Sequence, residues 1–275
     1  MHNIRLIALD MDGTLLRRDK TLSDVNREAL FRAAEKGVEI VPATGRFYGA
    51  IPAAVRELPF IRFAITINGA AVFDIRRGVN VYKGEIPKAR AMEVFRMLDE
   101  YPLIYDCYRD NAGWMTKTLY DQAERYAPNE VILKMIRDLR TPVADLKQFV
   151  ETGEGDVQKI QLFADMDVRE VICQNMNEQF PELKVTSSSV NNLEINGKQA
   201  DKGLALQALT DYLGLPSDST MAIGDGSNDI SMLKAAAQPV AMGNSVPEVL
   251  ALGCYTTLDS EADGVAAALE HFNII

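Results

Sequence analysis

In Leu6-Ile7-Ala8-Leu9-Asp10-Met11-Asp12-Gly13-Thr14 an unbroken apolar run stops at two carboxylates and a glycine. A short continuous apolar run fits a strand covered on both faces, the kind found in parallel sheets. Side chains alternate along a strand, so Asp10 and Asp12 project to one side at its C-terminal end, the edge where open parallel sheets hold their ligands. Two carboxylates that close repel and raise one pKa unless a cation lies between them, or unless they divide the work as nucleophile and proton donor. Solvated turn acids would show the same spacing. A calcium loop of the EF-hand kind would not, since it needs glycine at its sixth position and glutamate at its twelfth, where this chain has Leu15 and Thr21.

Working outward, Ser23 is a candidate N-cap for a helix with apolar residues at Val25, Ala29, Leu30, Ala33 and Ala34, closed by Gly37. A second apolar run, Val38 to Val41, follows at once. The rhythm repeats with a helix expected around Phe47 to Leu58 and a strand at Phe63 to Ile67, the pattern of a parallel sheet wrapped by helices. Two β-prone runs, Ala71 to Phe73 and Val79 to Tyr82, flank Arg76-Arg77-Gly78 and predict a hairpin that leaves this pattern. The parallel rhythm returns after Asp201, with a helix through Ala205, Leu206, Leu209 and Leu213, a strand Thr220 to Ile223 and a helix from Ser227. The expected fold is therefore α/β: a Rossmann-like, doubly wound core from residues 1–85 and 191–275, interrupted by an inserted α/β cap at 86–190.

Composition narrows the chemistry. The chain has 275 residues, 47% of them hydrophobic and 25% charged, as in globular domains. Its net charge of -10 argues against a nucleic-acid partner, whose binding usually rests on a basic surface. No stretch approaches the roughly 18 apolar residues a spanning helix needs, and the N-terminal run is too short and too acidic for a signal peptide. A cytoplasmic protein with no membrane partner is expected, a monomer by default. Cys107, Cys173 and Cys254 are scattered and odd in number, so free thiols, most simply buried ones, are expected. His2 and His271 sit beside the termini, which leaves no histidine base or zinc set in prospect. Carboxylates, lysine and a hard metal must carry any catalysis.

Three further clusters end predicted strands or open predicted helices. Ile223-Gly224-Asp225-Gly226-Ser227-Asn228-Asp229 brings Asp225 and Asp229 to a helix N-terminus. Alone it would read as a capped turn, but at the same sheet edge as Asp10 and Asp12 it can supply the oxygen ligands that magnesium prefers. Pro42-Ala43-Thr44-Gly45-Arg46 offers a hydroxyl and a glycine amide that a phosphate oxygen can approach. Arg46 reads equally as ligand contact or ion-pair residue, and Asn68 as site residue or hairpin turn. Lys202 starts a helix, where a lysine opposes the dipole and usually lies in solvent, so an anion explains it better.

Taken together, D-x-D-G-T at 10–14, T-G-R at 44–46, K-G at 202–203 and G-D-G-S-N-D at 224–229 closely resemble the four motifs of the haloacid dehalogenase-like hydrolases, in order and spacing. The long insertion, Asn68-Gly69 and Asn192-Leu193-Glu194-Ile195 resemble the Cof-type subfamily with its α/β (type IIB) cap. The resemblance spans nearly the whole chain. It implies a phosphatase acting on small phosphorylated metabolites, with Asp10 as nucleophile forming an aspartyl-phosphate and Asp12 as acid and base. It further implies Mg2+ held by Asp10, the carbonyl of Asp12 and Asp225, with Asp229 as direct or water-mediated support. Thr44, the Gly45 and Met11 amides, Lys202 and Asn228 would hold the phosphoryl oxygens. The cap would select the leaving group, with Tyr108, Arg109 and Trp114 as contacts or, for Tyr108 and Trp114, ordinary cap core. A phosphosugar mutase or a non-catalytic sensor of phosphometabolites shares much of this pattern. Sugar phosphates, flavin mononucleotide and pyridoxal phosphate all fit as substrates.

Overall fold

The N-terminal apolar run forms strand β1 (Leu6–Leu9), every residue of it buried. The computed structural model describes residues 3–127, 129–187 and 189–275. They fall into two units: one built from the segments up to Lys83 and from Ala200 onward, the other from Gly84–Gln199.

The two-segment unit contributes β2 (Glu39–Pro42), β3 (Phe63–Thr66), β4 (Ala71–Asp74) and β5 (Val79–Lys83) from its first segment. The inserted unit holds β6 (Leu103–Arg109), β7 (Ala112–Thr116), β8 (Arg140–Val143), β9 (Lys159–Ala164), β10 (Leu183–Thr186) and β11 (Asn192–Gly197). The chain then returns with β12 (Thr220–Gly224), β13 (Gln238–Ala241) and β14 (Tyr255–Thr256).

In the two-segment unit the order β14-β13-β12-β1-β2 is parallel throughout, and Leu9 stands opposite Ile223 on one side and Pro42 on the other. Alternation along β1 feeds two cores. Ile7 and Leu9 join Ile40 and Ile223 against the helices Asp24–Glu35 and Gly264–His271. Leu6 and Ala8 join Val41 and Ala222 against Lys202–Tyr212 and Ile230–Ala235. Each fully buried leucine or isoleucine contributes about 1.5–3 kcal/mol, which is why an apolar run with no polar face settles in the middle of a doubly wound sheet. The helix Asp24–Glu35 begins where expected, with the Ser23 hydroxyl accepting from the Asn26 N–H at 3.0 Å.

Three expectations need correction. The helix around 47–58 is instead a turn at Tyr48–Ala50 and a single helical turn at Ala53–Arg56. Pro52 forces Ile51 into extended backbone, which interrupts a single helix over this stretch. The strand at 63–67 is short of Ile67 and pairs antiparallel with β4, in a three-stranded β3-β4-β5 sheet that meets the parallel one through an Ala43–Ile65 bridge. Finally, the return to the core comes at Ala200 and not at 191, because β11 is paired between β10 and β9 within the inserted unit.

The inserted unit is a six-stranded sheet, β10-β11-β9-β6-β7-β8, with one face apolar. Leu103, Tyr105, Cys107, Ile160, Leu162, Leu193 and Ile195 are buried there with residues of the helices Lys88–Leu98, Leu146–Thr152 and Met166–Gln179. The intervening positions Asp106, Tyr108, Lys159, Gln161 and Glu194 are polar yet buried. Arg140 pairs with Asp106 at 2.8 Å and donates to the Tyr108 hydroxyl at 2.8 Å, while Lys159 pairs with Glu194 at 3.1 Å. Arg109 donates to the Phe149 carbonyl at 3.0 Å, and the Trp114 indole stacks near Phe149 and donates to the Arg109 carbonyl at 3.1 Å. Arg109 and Trp114 thus have structural employment within this unit. Among the described residues no helix is long and apolar enough to cross a membrane.

Candidate active site

The parallel order of β2, β1 and β12 sets Thr44, Asp10 and Asp225 at the same edge, just past the three strand ends. The Asp10 N–H donates to the Ile223 carbonyl at 3.0 Å, continuing the ladder one step and fixing the nucleophile candidate against β12.

Lys202 is the centre of the charge arrangement. Its ammonium donates to Asp10 Oδ1 at 2.6 Å and to Asp229 Oδ1 at 2.7 Å, and the residue is 1% exposed. It starts the helix Lys202–Tyr212, but Asp201 answers the backbone there: its carboxylate accepts from the Gly203 and Leu204 N–H groups at 2.8 and 3.0 Å as N-cap. The lysine is therefore not a solvated first-turn residue. Burial alone would discharge it, but Asp10 and Asp229 hold its pKa above the ordinary lysine value. The Asp10 carboxyl is also shifted up, to about 7: burial, helped by the charges of Asp229 and Asp225, outweighs the downward pull of Lys202.

Asp229 is fully buried and heavily committed. Besides Lys202, it accepts from the Asp225 and Gly226 N–H groups at 3.0 and 2.9 Å through Oδ2. Asp225 accepts the Thr14 hydroxyl at 2.7 Å on Oδ1 and the Asn244 amide at 3.3 Å on Oδ2. Gly13, at φ +91°, lies so close that a Cβ there would run into the Asp225 carboxylate. Carboxylate oxygens of Asp10, Asp225 and Asp229 come within 4.8 Å of one another. Three such acids with one lysine leave negative charge uncompensated, and burial raises Asp225 as well, its neighbour Asp229 adding to the effect. An all-oxygen donor set with surplus negative charge fits a hard divalent cation. Both oxygens of Asp229 and both of Asp225 already accept from the protein, the longest of these contacts being the 3.3 Å one from Asn244 to Asp225.

The Asp12 carboxylate is not part of that trio. Arg46 grips it with Nε at 3.0 Å and Nη2 at 2.8 Å, and Lys20 adds a contact at 2.8 Å. Partial burial would raise Asp12, but the hydrogen bonds and charges of Arg46 and Lys20 hold it below the usual carboxylate value. Of the two readings open to Arg46, the structure shows the ion pair. Met11 is buried in the core, so only its main chain can serve the site.

Thr44 is buried; its hydroxyl accepts from the Arg46 N–H at 3.2 Å, and its carbonyl accepts from the Asn68 N–H at 3.0 Å. Asn68 Oδ1 accepts from the Asn228 amide at 3.2 Å and would stand 3.0 Å from a Cβ on Gly45. Thus Thr44, Gly45, Asn68 and Asn228 form one neighbourhood, tied together across three loops. The backbone there is strained: Ile67, Asn68 and Gly69 are all left-handed, at φ +55°, +55° and +88°. For a β-branched residue such as Ile67 that conformation costs about 1–3 kcal/mol. Gly69 has no alternative, because a Cβ would strike the Asp201–Lys202 backbone.

Lys20, Asn244 and the tie from Thr14 to Asp225 escape sequence reasoning. Asn244 had a usable signal, since Gly243-Asn244 follows β13 at the same edge of the parallel sheet. Lys20 had none; it reaches Asp12 only through a turn in which it takes φ +66°.

An open parallel sheet with an acid trio, a buried lysine and an α/β insertion defines a hydrolase of the haloacid dehalogenase type. The chain belongs to that family: the sequence model of the haloacid dehalogenase-like hydrolases matches residues 7–269. It is a phosphoric monoester hydrolase of the Cof type by its relatives. One, the 5-amino-6-(5-phospho-D-ribitylamino)uracil phosphatase YcsE of Bacillus subtilis, is 30% identical over 98% of this chain and 96% of its own length. A haloacid dehalogenase-like hydrolase from Bacteroides thetaiotaomicron superposes with a TM-score of 0.83 at 28% identity, over 98% of this chain and 99% of that one. The subclass IIB sugar phosphatase BT4131 shares the fold, with a TM-score of 0.79 at 24% identity over 98% and 100% of the two chains.

Proposed function

We propose that this chain is a magnesium-dependent phosphatase that hydrolyses small phosphorylated metabolites through an aspartyl-phosphate on Asp10. The observation that carries the reading is the Lys202 ammonium, buried within hydrogen-bonding distance of both Asp10 and Asp229. A carboxylate attacking a phosphate dianion meets charge repulsion, and a fixed cation beside the nucleophile lowers it.

In the first step an Asp10 oxygen forms a bond to phosphorus while the bond to the leaving oxygen breaks, its electron pair going to that oxygen, which takes a proton from Asp12. In the second, Asp12, now a carboxylate, takes a proton from water as the water oxygen attacks phosphorus, and the bond to Asp10 breaks to release phosphate. Asp12 must loosen its ion pairs with Arg46 and Lys20 to act as the acid; held as it is, it stands ready as the base. The Thr44 hydroxyl, the Gly45 and Met11 amides, Lys202 and Asn228 bind the phosphoryl oxygens, with Asn68 orienting Asn228. Asp10, the Asp12 carbonyl and Asp225 hold Mg2+, with Asp229 in support; the ion, when bound, neutralises charge on the phosphoryl oxygens.

These residues handle the phosphoryl group and leave the rest of the substrate unread, so selection falls to the inserted unit. Sugar phosphates, flavin mononucleotide and pyridoxal phosphate are the candidates, and the named substrate of the Bacillus subtilis relative joins them.

The test is phosphate release from p-nitrophenyl phosphate and a panel of these compounds, with magnesium or with chelator, for the wild type and Asp10→Asn. Activity that requires both magnesium and Asp10 is expected. A folded, metal-loaded protein that releases no phosphate from any of them overturns the reading.

A further inference from the structure

We infer that Asn244 is a positioning residue that holds the Asp225 carboxylate turned toward Asp10 and Asp229, by tying it to the loop that follows β1. Its functional consequence rests on the reading of Asp225 as a metal ligand.

The amide of Asn244 is used up completely by the protein, although the residue is exposed. One Nδ2 hydrogen goes to the Gly13 carbonyl at 2.7 Å and the other to Asp225 Oδ2 at 3.3 Å, while Oδ1 accepts from the Ser260 N–H at 2.9 Å. The reverse orientation would set the amide oxygen against a carbonyl and a carboxylate, and the NH2 against an N–H. The chemistry of the partners therefore fixes which way the group points.

The loop that carries Asn244 is itself anchored on both sides. The Met242 and Val246 N–H groups donate to the Gly224 and Asp225 carbonyls at 3.1 and 3.0 Å, and the Gly243 N–H to the Leu258 carbonyl at 3.0 Å. Gly243 admits this approach because a Cβ would press on the Thr257–Asp259 backbone at 3.0–3.1 Å. On the opposite oxygen, Thr14 holds Asp225 Oδ1, and Gly13 leaves just the space the carboxylate occupies. Asp225 is thus pinned through both oxygens, by groups from the β1 loop and from the β13 loop. A ligand held in this way meets its cation without first giving up rotational freedom.

Exposure makes the role separable from stability, since truncating Asn244 opens no cavity. For Asn244→Ala, titration calorimetry with Mg2+ alone should show the dissociation constant rising by about tenfold or more, the range for removing a partner of a metal ligand. The Tm of the metal-free protein should be little changed. The magnesium concentration that half-activates hydrolysis of p-nitrophenyl phosphate should rise in parallel, with KM at saturating magnesium unmoved. Asn244→Gln, which keeps the amide at an open position, should recover part of the affinity. A wild-type dissociation constant in Asn244→Ala overturns the inference. A crystal structure of the metal-free variant decides independently of metal: Asp225 turned away from Asp10 and Asp229 supports it, and an unmoved carboxylate refutes it. Failure of the wild type to bind magnesium would sink the proposed function, whereas the orientation of Asp225 in the metal-free variant would still decide the role of Asn244.

Discussion

The Lys202 ammonium and the Asp10 carboxylate lie 2.6 Å apart with the lysine side chain wholly shielded from water. Breaking a buried pair by removing one partner typically costs about 3–5 kcal/mol, because the other charge stays behind unpaired. Here two carboxylates, Asp10 and Asp229, would be stranded. Lys202→Met should therefore lower urea stability by about that amount, and phosphate release by about a hundredfold to a thousandfold, as for loss of a preorganised donor. Wild-type stability in this variant would show the acids to be neutral in the resting protein.

Arg46 and Lys20 hold Asp12 ionised, and both contacts must weaken for Asp12 to give up a proton to a leaving group. Arg46→Ala removes the bidentate partner, so the Asp12 carboxyl should rise from its lowered position. The limb of the kcat/KM profile that reports a protonated Asp12 should move to higher pH. An unshifted profile, with only KM raised, would reassign Arg46 to substrate binding.

Gly69 and Gly37 are both left-handed, at φ +88° and +83°, but only Gly69 faces a wall. Alanine at either site costs backbone energy, more than about 1 kcal/mol. Gly69→Ala should cost clearly more than Gly37→Ala in urea titrations and should also lower activity, because it displaces the Asp201–Lys202 backbone. Equal losses of stability with full activity would remove Gly69 from the support of the site.

Glu39 opens β2 with Oε1 buried and no hydrogen-bond partner among the described residues. Burial raises its carboxyl above the ordinary 4.5, with Arg62 and Arg76 opposing and Asp74 reinforcing. Between the ordinary value and the raised one the folded state binds more protons than the unfolded state, so stability falls as pH rises through that window. Glu39→Gln abolishes the titration, and its stability relative to wild type should improve between about pH 4 and about pH 7. Urea midpoints at the two pH values check this; a difference that stays constant refutes it.

What could be read from sequence was local. The run Leu6–Leu9, the Ser23 cap and the strand-end acids announce themselves within a few residues, and they place Asp10 and Asp225 on one sheet edge. The helix expected over 47–58 follows from the strand–helix–strand rhythm, which takes no account of Pro52, and a proline at that place breaks a continuous helix. The misplaced boundary at 191 has a different origin. β11 owes its place to pairing with β9, some thirty residues back, and strand pairing over that distance leaves no mark in either segment alone. For Lys202 the sequence points to an anion but not to full burial between Asp10 and Asp229, because burial is decided by what packs over it. The Arg46–Asp12 grip, the turn that delivers Lys20 and the Asn244 clamp are likewise contacts between loops distant in sequence.

Of the two strands that flank β1, β2 follows closely in sequence, whereas β12 lies beyond the entire inserted unit. During synthesis Asp10 leaves the ribosome early, but its partners Lys202, Asp225 and Asp229 follow only after the inserted segment has been made. That segment is contiguous and carries its own core, so it can fold while the nascent N-terminal strand still waits for β12. Asp10 is therefore made long before the lysine that sits beside it, and the proposed nucleophile acquires its full set of partners only once the chain from Lys202 to Asp229 has followed.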